Sequence, residues 1–367
     1  MQQSKTLLKV SGWRCVTVGA PLEFHEWEID TADLSSDEVV VAVAGCGVCH
    51  TDLGFHYDGV RTKKPLPLVL GHEISGRVVA AGKDAIGWLN AAVVIPAVLP
   101  CGDCDDCNSG RSNVCRHQVM PGNDVDGGFA THVCIPSLWL VPVPDDFQGE
   151  LALLSVVADA ISTPYQALKR AEVSEGDICV IVGCGGVGGY CAQLAASMGA
   201  RTVCIDVDKR RLASLSSLGF KWLINSSDMT NREIKTELHR IVSEEGWPKS
   251  GWRIFECSGH PAGQTLAFEL LGPSGVLAVV GFTMEKVTIR LSNLMAHDGR
   301  AFGNWGCQPE LYPELLENVV AGAVNIVATT RLRPLEQINE VFAATHHGGG
   351  SRRTILVPGM TGEGSGQ

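Results

Sequence analysis

Ile178-Cys-Val-Ile-Val-Gly-Cys-Gly-Gly-Val-Gly188 decides the reading of this chain. Residues 178–182 form an unbroken apolar, mostly β-branched run, the composition of a strand buried on both faces. Gly183, Gly185 and Gly188 then break the run, and apolar residues resume at helical spacing over 187–198. Strand, three glycines and helix in this order allow a tight turn and bring a pyrophosphate close to the helix N-terminus, where backbone N–H groups lack partners. The next strand, 202–206, ends on Asp206, the position at which a carboxylate takes the ribose 2′-hydroxyl and repels a 2′-phosphate. Gly183, Gly185, Gly188 and Asp206 are therefore expected to bind NAD in preference to NADP. Lys209, Arg210 and Arg211 read as a solvated helix face, or as charges that soften that preference.

Downstream, the alternation continues with helices at 209–218, 232–243 and 262–271 and strands at 222–224, 253–256 and 275–280. Such alternation predicts an α/β domain with a doubly wound parallel sheet. Upstream, short β-branched runs at 38–44, 74–80 and 91–98 are punctuated by Gly, Pro and Asp, as in a barrel or sandwich. The tail carries a helix at 310–320 and a strand at 354–357, and is expected to return to the first domain before fraying at 361–367. The expected division is 1–160, 161–303 and 304–367.

At 367 residues, two domains are the natural expectation. Charged residues make up 19% and hydrophobic ones 45%, a balance that excludes disorder. The net charge of −11 argues against nucleic acid or an anionic membrane as partner. The uncharged stretch 85–102 is long enough to span a bilayer, but Pro96 and Pro100 make it buried β-structure instead. No secretory leader is read at 1–13, so a cytoplasmic setting is expected, and the fourteen cysteines there serve as metal ligands and core residues.

Four of those cysteines explain themselves. Cys101, Cys104, Cys107 and Cys115 stand in CGDCDDCNSGRSNVC, within a turn-rich lobe at about 100–116. Four thiolates this close suit a tetrahedral zinc site with bonds of about 2.3 Å. A ferredoxin-type cluster is the rival, but no proline follows the fourth cysteine. With all four positions filled by protein, such a zinc is structural.

Two further segments, GVCHTD (47–52) and LPLVLGHEISG (66–76), hold Cys49 and His72, residue types that alone are more often packed core residues than ligands. Together with the four-cysteine lobe, DGGFATH (126–132) and the glycine fingerprint, they resemble the zinc-containing medium-chain alcohol dehydrogenases over nearly the whole chain. That resemblance implies a GroES-like β-barrel catalytic domain beside a Rossmann domain, with the active site in the cleft between them. It makes Cys49 and His72 ligands of a catalytic zinc, and aligns Asp159 in VVADAISTPYQAL (156–168) with the third ligand, commonly a cysteine. The alternative for Asp159 is a helix cap or buried carboxylate. Glu73 is then an exchangeable ligand or the acid of a structural ion pair. Thr51 is placed to hydrogen-bond the alcohol oxygen and pass on its proton, and His50 to meet the cofactor pyrophosphate. Gly54 stands where many relatives continue the relay with a histidine, so the proton leaves by another route, such as ribose, water or His56.

Within the family, the stretch from Cys49 to Val78 is most similar to members that oxidise a ring alcohol carried on a CoA thioester. An acidic protein needs a local cationic patch for such a polyanion, and Arg61, Lys63 and Lys64 supply one, unless they are simply a solvated loop. The resemblance also implies a homo-oligomer, a dimer or tetramer. A zinc-free quinone or enoyl reductase of the same fold, or a non-catalytic relative, is disfavoured by Cys49, His72 and the four-cysteine lobe. The two zinc motifs predict about two zinc ions per chain in the purified protein, counted by atomic absorption; a count of one would remove one of the two sites.

Overall fold

The computed structural model describes residues 6–348 and 350–361, so the expected fraying of the tail falls outside the described residues from 362 on. The chain divides into two compact units. The first holds the described residues up to Ala160, Gly306–Val320 and the described residues from Ile326 onward; the second holds Ile161–Trp305 and Ala321–Asn325.

In the first unit, β1 (Leu7–Cys15), β2 (Glu23–Asp30) and β4 (Leu68–Val69) form a small antiparallel sheet. The larger sheet is built on β3 (Glu38–Gly47), whose Val39, Val40, Val41 and Cys46 are fully buried. β3 pairs antiparallel with β5 (Glu73–Ala81) and with β7 (His132–Pro136), while β6 (Ala92–Ile95) and β8 (Val141–Pro142) extend the sheet beyond β5. The β3–β5 register matters most. A shift between Val43 and Gly45 carries the pairing on to Gly47 opposite Glu73. Cys49, two residues past β3, and His72, one residue before β5, therefore emerge side by side.

The second unit holds the predicted parallel sheet: β9 (Ile178–Val182), β10 (Arg201–Asp206), β11 (Trp222–Asn225), β12 (Arg253–Glu256), β13 (Val276–Val279) and β14 (Arg300–Gly303). Their spatial order is β11-β10-β9-β12-β13-β14, with every neighbouring pair parallel. The order reverses beside β9, the switch point at which such sheets bind nucleotides. All five residues of β9 are buried, as its continuous apolar sequence requires. Helices Gly186–Ser197, Lys209–Ser217, Asn231–Glu244 and Pro261–Glu269 follow successive strands. The short excursion 321–325 is tied to this unit by the Asn325 N–H, which donates to Gln193 Oε1 at 2.9 Å.

β15 (Thr330–Pro334) and β16 (Arg353–Val357) return to the first unit, completing the order β15-β16-β3-β5-β6-β8 with β7 alongside β3. Helix Ile338–His346 seals the barrel core through Phe342, edge-on to Phe129 with centroids 5.5 Å apart. Of the stretch 85–102 only Ala92–Ile95 is strand; prolines 96 and 100 carry no N–H, and the buried loop that follows runs past the sheet. No single helix among the described residues is long and apolar enough to cross a membrane.

Candidate active site

Cys49 lies in extended conformation at the head of helix His50–His56. The third residue of that helix, Asp52, is completely buried and organises what surrounds it. Its Oδ2 accepts from the Cys49 N–H at 3.0 Å, its Oδ1 accepts from the Gly71 N–H at 3.1 Å, and His72 Nδ1 lies 3.2 Å from Oδ1. Gly71 sits at φ +99°, and a β-carbon there would meet Cys46 Sγ at 2.7 Å, so only glycine lets the chain turn into His72.

With Nδ1 engaged by Asp52, the other ring nitrogen points at Asp159: Nε2 lies 3.6 Å from Oδ2, and Cys49 Sγ is also 3.6 Å from Oδ2. Asp159 itself ends the 3-10 run Leu151–Ala158. Cys49, His72, Glu73 and Asp159 each offer a donor atom within 4.8 Å of the others. A tetrahedral zinc with bonds of about 2.0–2.3 Å sets its donors about 3.3–3.8 Å apart, so the donor set fits that ion. Charge points the same way. Burial disfavours a charged His72, yet Asp52, Asp159 and Cys49 overcome it and hold the imidazole pKa well above its ordinary value. The site attracts positive charge.

Glu73 is fully buried and lies in the fork of Arg353, whose Nε donates to Oε2 at 2.7 Å and whose terminal nitrogen reaches Oε1. The ion-pair reading of Glu73 thus has its partner, 280 residues away in sequence. Thr51 is exposed with Oγ1 3.7 Å from Cys49 Sγ, and His50 is exposed at the first position of its helix. His56 is buried, with Nδ1 3.6 Å from Cys15 Sγ and its ring against Tyr57 and Phe342. Its ring is packed into the core, which removes it from a proton route open to solvent.

In the lobe, Cys104 Sγ lies 3.5 Å from Cys107 Sγ and 3.6 Å from Cys115 Sγ, and Cys115 Sγ is 3.5 Å from Cys101 Sγ. Disulfide sulfurs would sit about 2.05 Å apart, whereas the edge of a tetrahedral four-thiolate zinc site is about 3.8 Å. The backbone N–H of Cys107 draws the Cys104 thiol down to about 7, while the Asp103 carboxylate pushes Cys101 up to about 12. The spacing is that of four sulfurs around one ion, and a cation among them would offset the repulsion of neighbouring thiolates.

At the fingerprint, Gly183 has φ +87°, and a β-carbon on Gly188 would stand 1.8 Å from the Gly183 carbonyl oxygen. Asp206 is buried at the end of β10; Oδ2 accepts from the Cys184 N–H at 2.6 Å and Oδ1 from the Asp208 N–H at 2.7 Å. Arg210 pairs with Asp208 at 2.7 Å in solvent. Arg211 departs from a solvated face: its guanidinium leans over Gly185 and lies 3.6 Å from Asp206 Oδ2.

The cationic patch is weaker than its sequence. Lys63 Nζ lies 2.6 Å from Asp124 Oδ1 and Lys64 Nζ 2.9 Å from Asp126 Oδ2, so two of the three charges are neutralised. Asp124 and Asp126 come from the loop before β7, which the backbone of Lys63 and Lys64 also binds through Asn123. Arg61 is exposed at the rim of a cleft of about 200 Å³ lined by Phe55, Val60, Leu66 and Leu70.

Comparison with known proteins agrees with this layout. Residues 35–145 match the model of the alcohol dehydrogenase GroES-like domain, and residues 186–321 match that of the zinc-binding dehydrogenases. An alcohol dehydrogenase of Geobacillus stearothermophilus is 28% identical over 341 residues, 90% of this chain and 94% of the relative. Among solved structures, galactitol-1-phosphate dehydrogenase from Escherichia coli superposes with a TM-score of 0.84 at 23% identity, covering 95% of this chain and 100% of its own. A zinc-binding alcohol dehydrogenase domain protein from Burkholderia ambifaria gives 0.82 at 25% identity, covering 96% and 99%. The chain belongs to the zinc-binding medium-chain alcohol dehydrogenase family. It is accordingly an oxidoreductase with zinc and a nicotinamide dinucleotide as cofactors.

Two substitutions test the geometry. Asp52→Asn keeps the size of the side chain but turns one of its two accepting oxygens, Oδ2 toward Cys49 or Oδ1 toward Gly71 and His72, into a donor. Affinity for the catalytic-site zinc is expected to fall about 10–100-fold in a chelator competition, with the lobe zinc retained. Gly188→Ala forces the fingerprint open and is expected to abolish measurable dinucleotide binding by calorimetry while both zinc ions stay bound.

Proposed function

We propose that this enzyme oxidises a secondary alcohol with NAD at a zinc held by Cys49, His72 and Asp159. The observation that carries the reading is that Cys49 Sγ and His72 Nε2 each lie 3.6 Å from Asp159 Oδ2, beside the exposed Thr51. Zinc held there supplies Lewis acidity toward a hydroxyl or carbonyl oxygen, and the dinucleotide supplies the hydride acceptor.

The chain's own residues do the rest. Asp52 fixes His72 so that Nε2 faces the donor cluster. Thr51 Oγ1 holds the alcohol proton at the first turn of its helix. Gly54 offers no side chain to carry it further, so water or the cofactor ribose takes it on. Arg353 retains Glu73 at the cluster's edge, within 4.8 Å of the other donors, where it can exchange. His50 faces solvent at the start of the same helix, where a pyrophosphate oxygen would meet it. Asp206 favours NAD through its carboxylate, and Arg211 moderates that preference. The four-thiolate lobe requires free thiols and so a reducing, cytoplasmic setting.

For substrate, the stretch CHTDLGFHYDGVRTKKPLPLVLGHEISGRV resembles 6-hydroxycyclohex-1-ene-1-carbonyl-CoA dehydrogenase of anaerobic benzoyl-CoA degradation. We extend the proposal to that acyl-CoA thioester and its conversion to 6-oxocyclohex-1-ene-1-carbonyl-CoA. With Lys63 and Lys64 paired, Arg61 at the apolar cleft is the residue to which a CoA phosphate is assigned. A homo-oligomer is part of the same reading.

Three measurements decide. Asp159→Asn should release zinc and lower turnover; unchanged zinc content and rate would return Asp159 to a structural role. A wild-type enzyme faster with NADP than with NAD at equal concentration would overturn the cofactor preference. Arg61→Glu should raise KM for the CoA ester far more than for a simple cyclic alcohol, with Lys63→Glu and Lys64→Glu weaker. No preference of the wild type for CoA esters would leave an unassigned secondary alcohol as substrate.

A further inference from the structure

Asp159 stands at the end of a 3-10 run, where helical hydrogen bonding stops, and its position depends on what holds the preceding peptide. The Ala158 carbonyl oxygen accepts the hydroxyl of Tyr312 and, at 3.2 Å, the N–H of Ala97. Tyr312 is 1% exposed, so its phenol has no access to water in exchange. Four residues earlier, Gln308 Nε2 donates to the Gly110 carbonyl, and Glu310 Oε2 accepts from Ser112 Oγ at 2.8 Å. Gly110 and Ser112 lie between Cys107 and Cys115, inside the four-cysteine lobe, and Ser112 is fully buried. One short segment, a 3-10 turn (Pro309–Leu311) running into helix Tyr312–Val320, therefore grips the lobe at two points and the peptide before Asp159 at a third.

We propose that this segment is a strap that couples the structural lobe to the catalytic donor set, with Tyr312 as a positioning residue for Asp159. The proposal rests on the reading of Asp159 as a zinc ligand. The lobe orders around its own metal, because its neighbouring sulfurs stand 3.5–3.6 Å apart, near the edge of a tetrahedral site, and only Ser112, Asn113 and Cys115 are buried within it. That order fixes Gly110 and Ser112, which fix Gln308 and Glu310, which seat Tyr312 beneath the Ala158 carbonyl. The carboxylate of Asp159 then meets Cys49 and His72 without an ordering cost at the moment the ion binds.

The test uses the full-length, zinc-loaded protein and three variants: Tyr312→Phe, Glu310→Ala and Asp159→Asn. Readouts are the two phases of zinc release to a chromogenic chelator and the visible spectrum after cobalt exchange at the catalytic site. Asp159→Asn identifies the catalytic-site phase. Tyr312→Phe is expected to speed that phase about five- to tenfold, the weight of one buried hydrogen bond, and to shift the cobalt bands, with lobe release unchanged. Glu310→Ala should accelerate the same phase to a lesser extent. A wild-type release rate and spectrum in Tyr312→Phe would overturn the positioning role. An effect of Tyr312→Phe without one of Glu310→Ala would overturn the link to the lobe. Both phases accelerating equally in Tyr312→Phe would mean general loosening and likewise sink the proposal. If Asp159→Asn alters neither phase nor spectrum, the ligand reading itself fails.

Discussion

A thiol, an imidazole and two carboxylates within 4.8 Å of one another, three of the four residues buried, form a group that opposes its own assembly. Each carboxylate removed from water costs several kcal/mol unless charge is returned to it. The first unit is arranged around meeting that demand. Glu73 receives Arg353, carried in on the last strand of the sheet. Asp52, equally buried, receives two backbone N–H groups and a ring nitrogen. Cys49 Sγ and His72 Nε2 both face Asp159 Oδ2, and these three atoms form the part of the group proposed to take a metal.

The second unit solves a different problem with backbone. Its ligand is an anion, and the chain offers N–H groups and empty space. Gly183 and Gly188 approach so closely that a single added methyl group has no room. Asp206 is locked to two backbone N–H groups of its own loops, so its carboxylate is preset rather than recruited. Arg211 beside it shows that the charge at this corner is balanced rather than simply negative.

Much of this was readable in the residues, and for definable reasons. The strand, glycine turn and helix at 178–197 are local features, and the structure has β9 and helix Gly186–Ser197 where periodicity puts them. The four cysteines are likewise close in sequence. Other features depend on distant partners and left no local trace. Arg353 is an ordinary basic residue until β16 brings it to Glu73. Tyr312 gives no hint of its bond to Ala158, 154 residues away. Asp52 did carry a signal, as an acid three residues after Cys49 at a helix start, but capping and ligand orientation look alike in sequence. Lys63 and Lys64 erred in the opposite direction: their charges were visible, and their neutralising partners were not.

Within the lobe, positions 101–115 bury only Ser112, Asn113 and Cys115, so almost no apolar core supports the fold there. In a segment so poor in core, metal binding rather than chain collapse would set the shape. A newly made chain in a zinc-starved cell would therefore carry a pliant, cysteine-bearing loop, the kind of segment that proteases cut first.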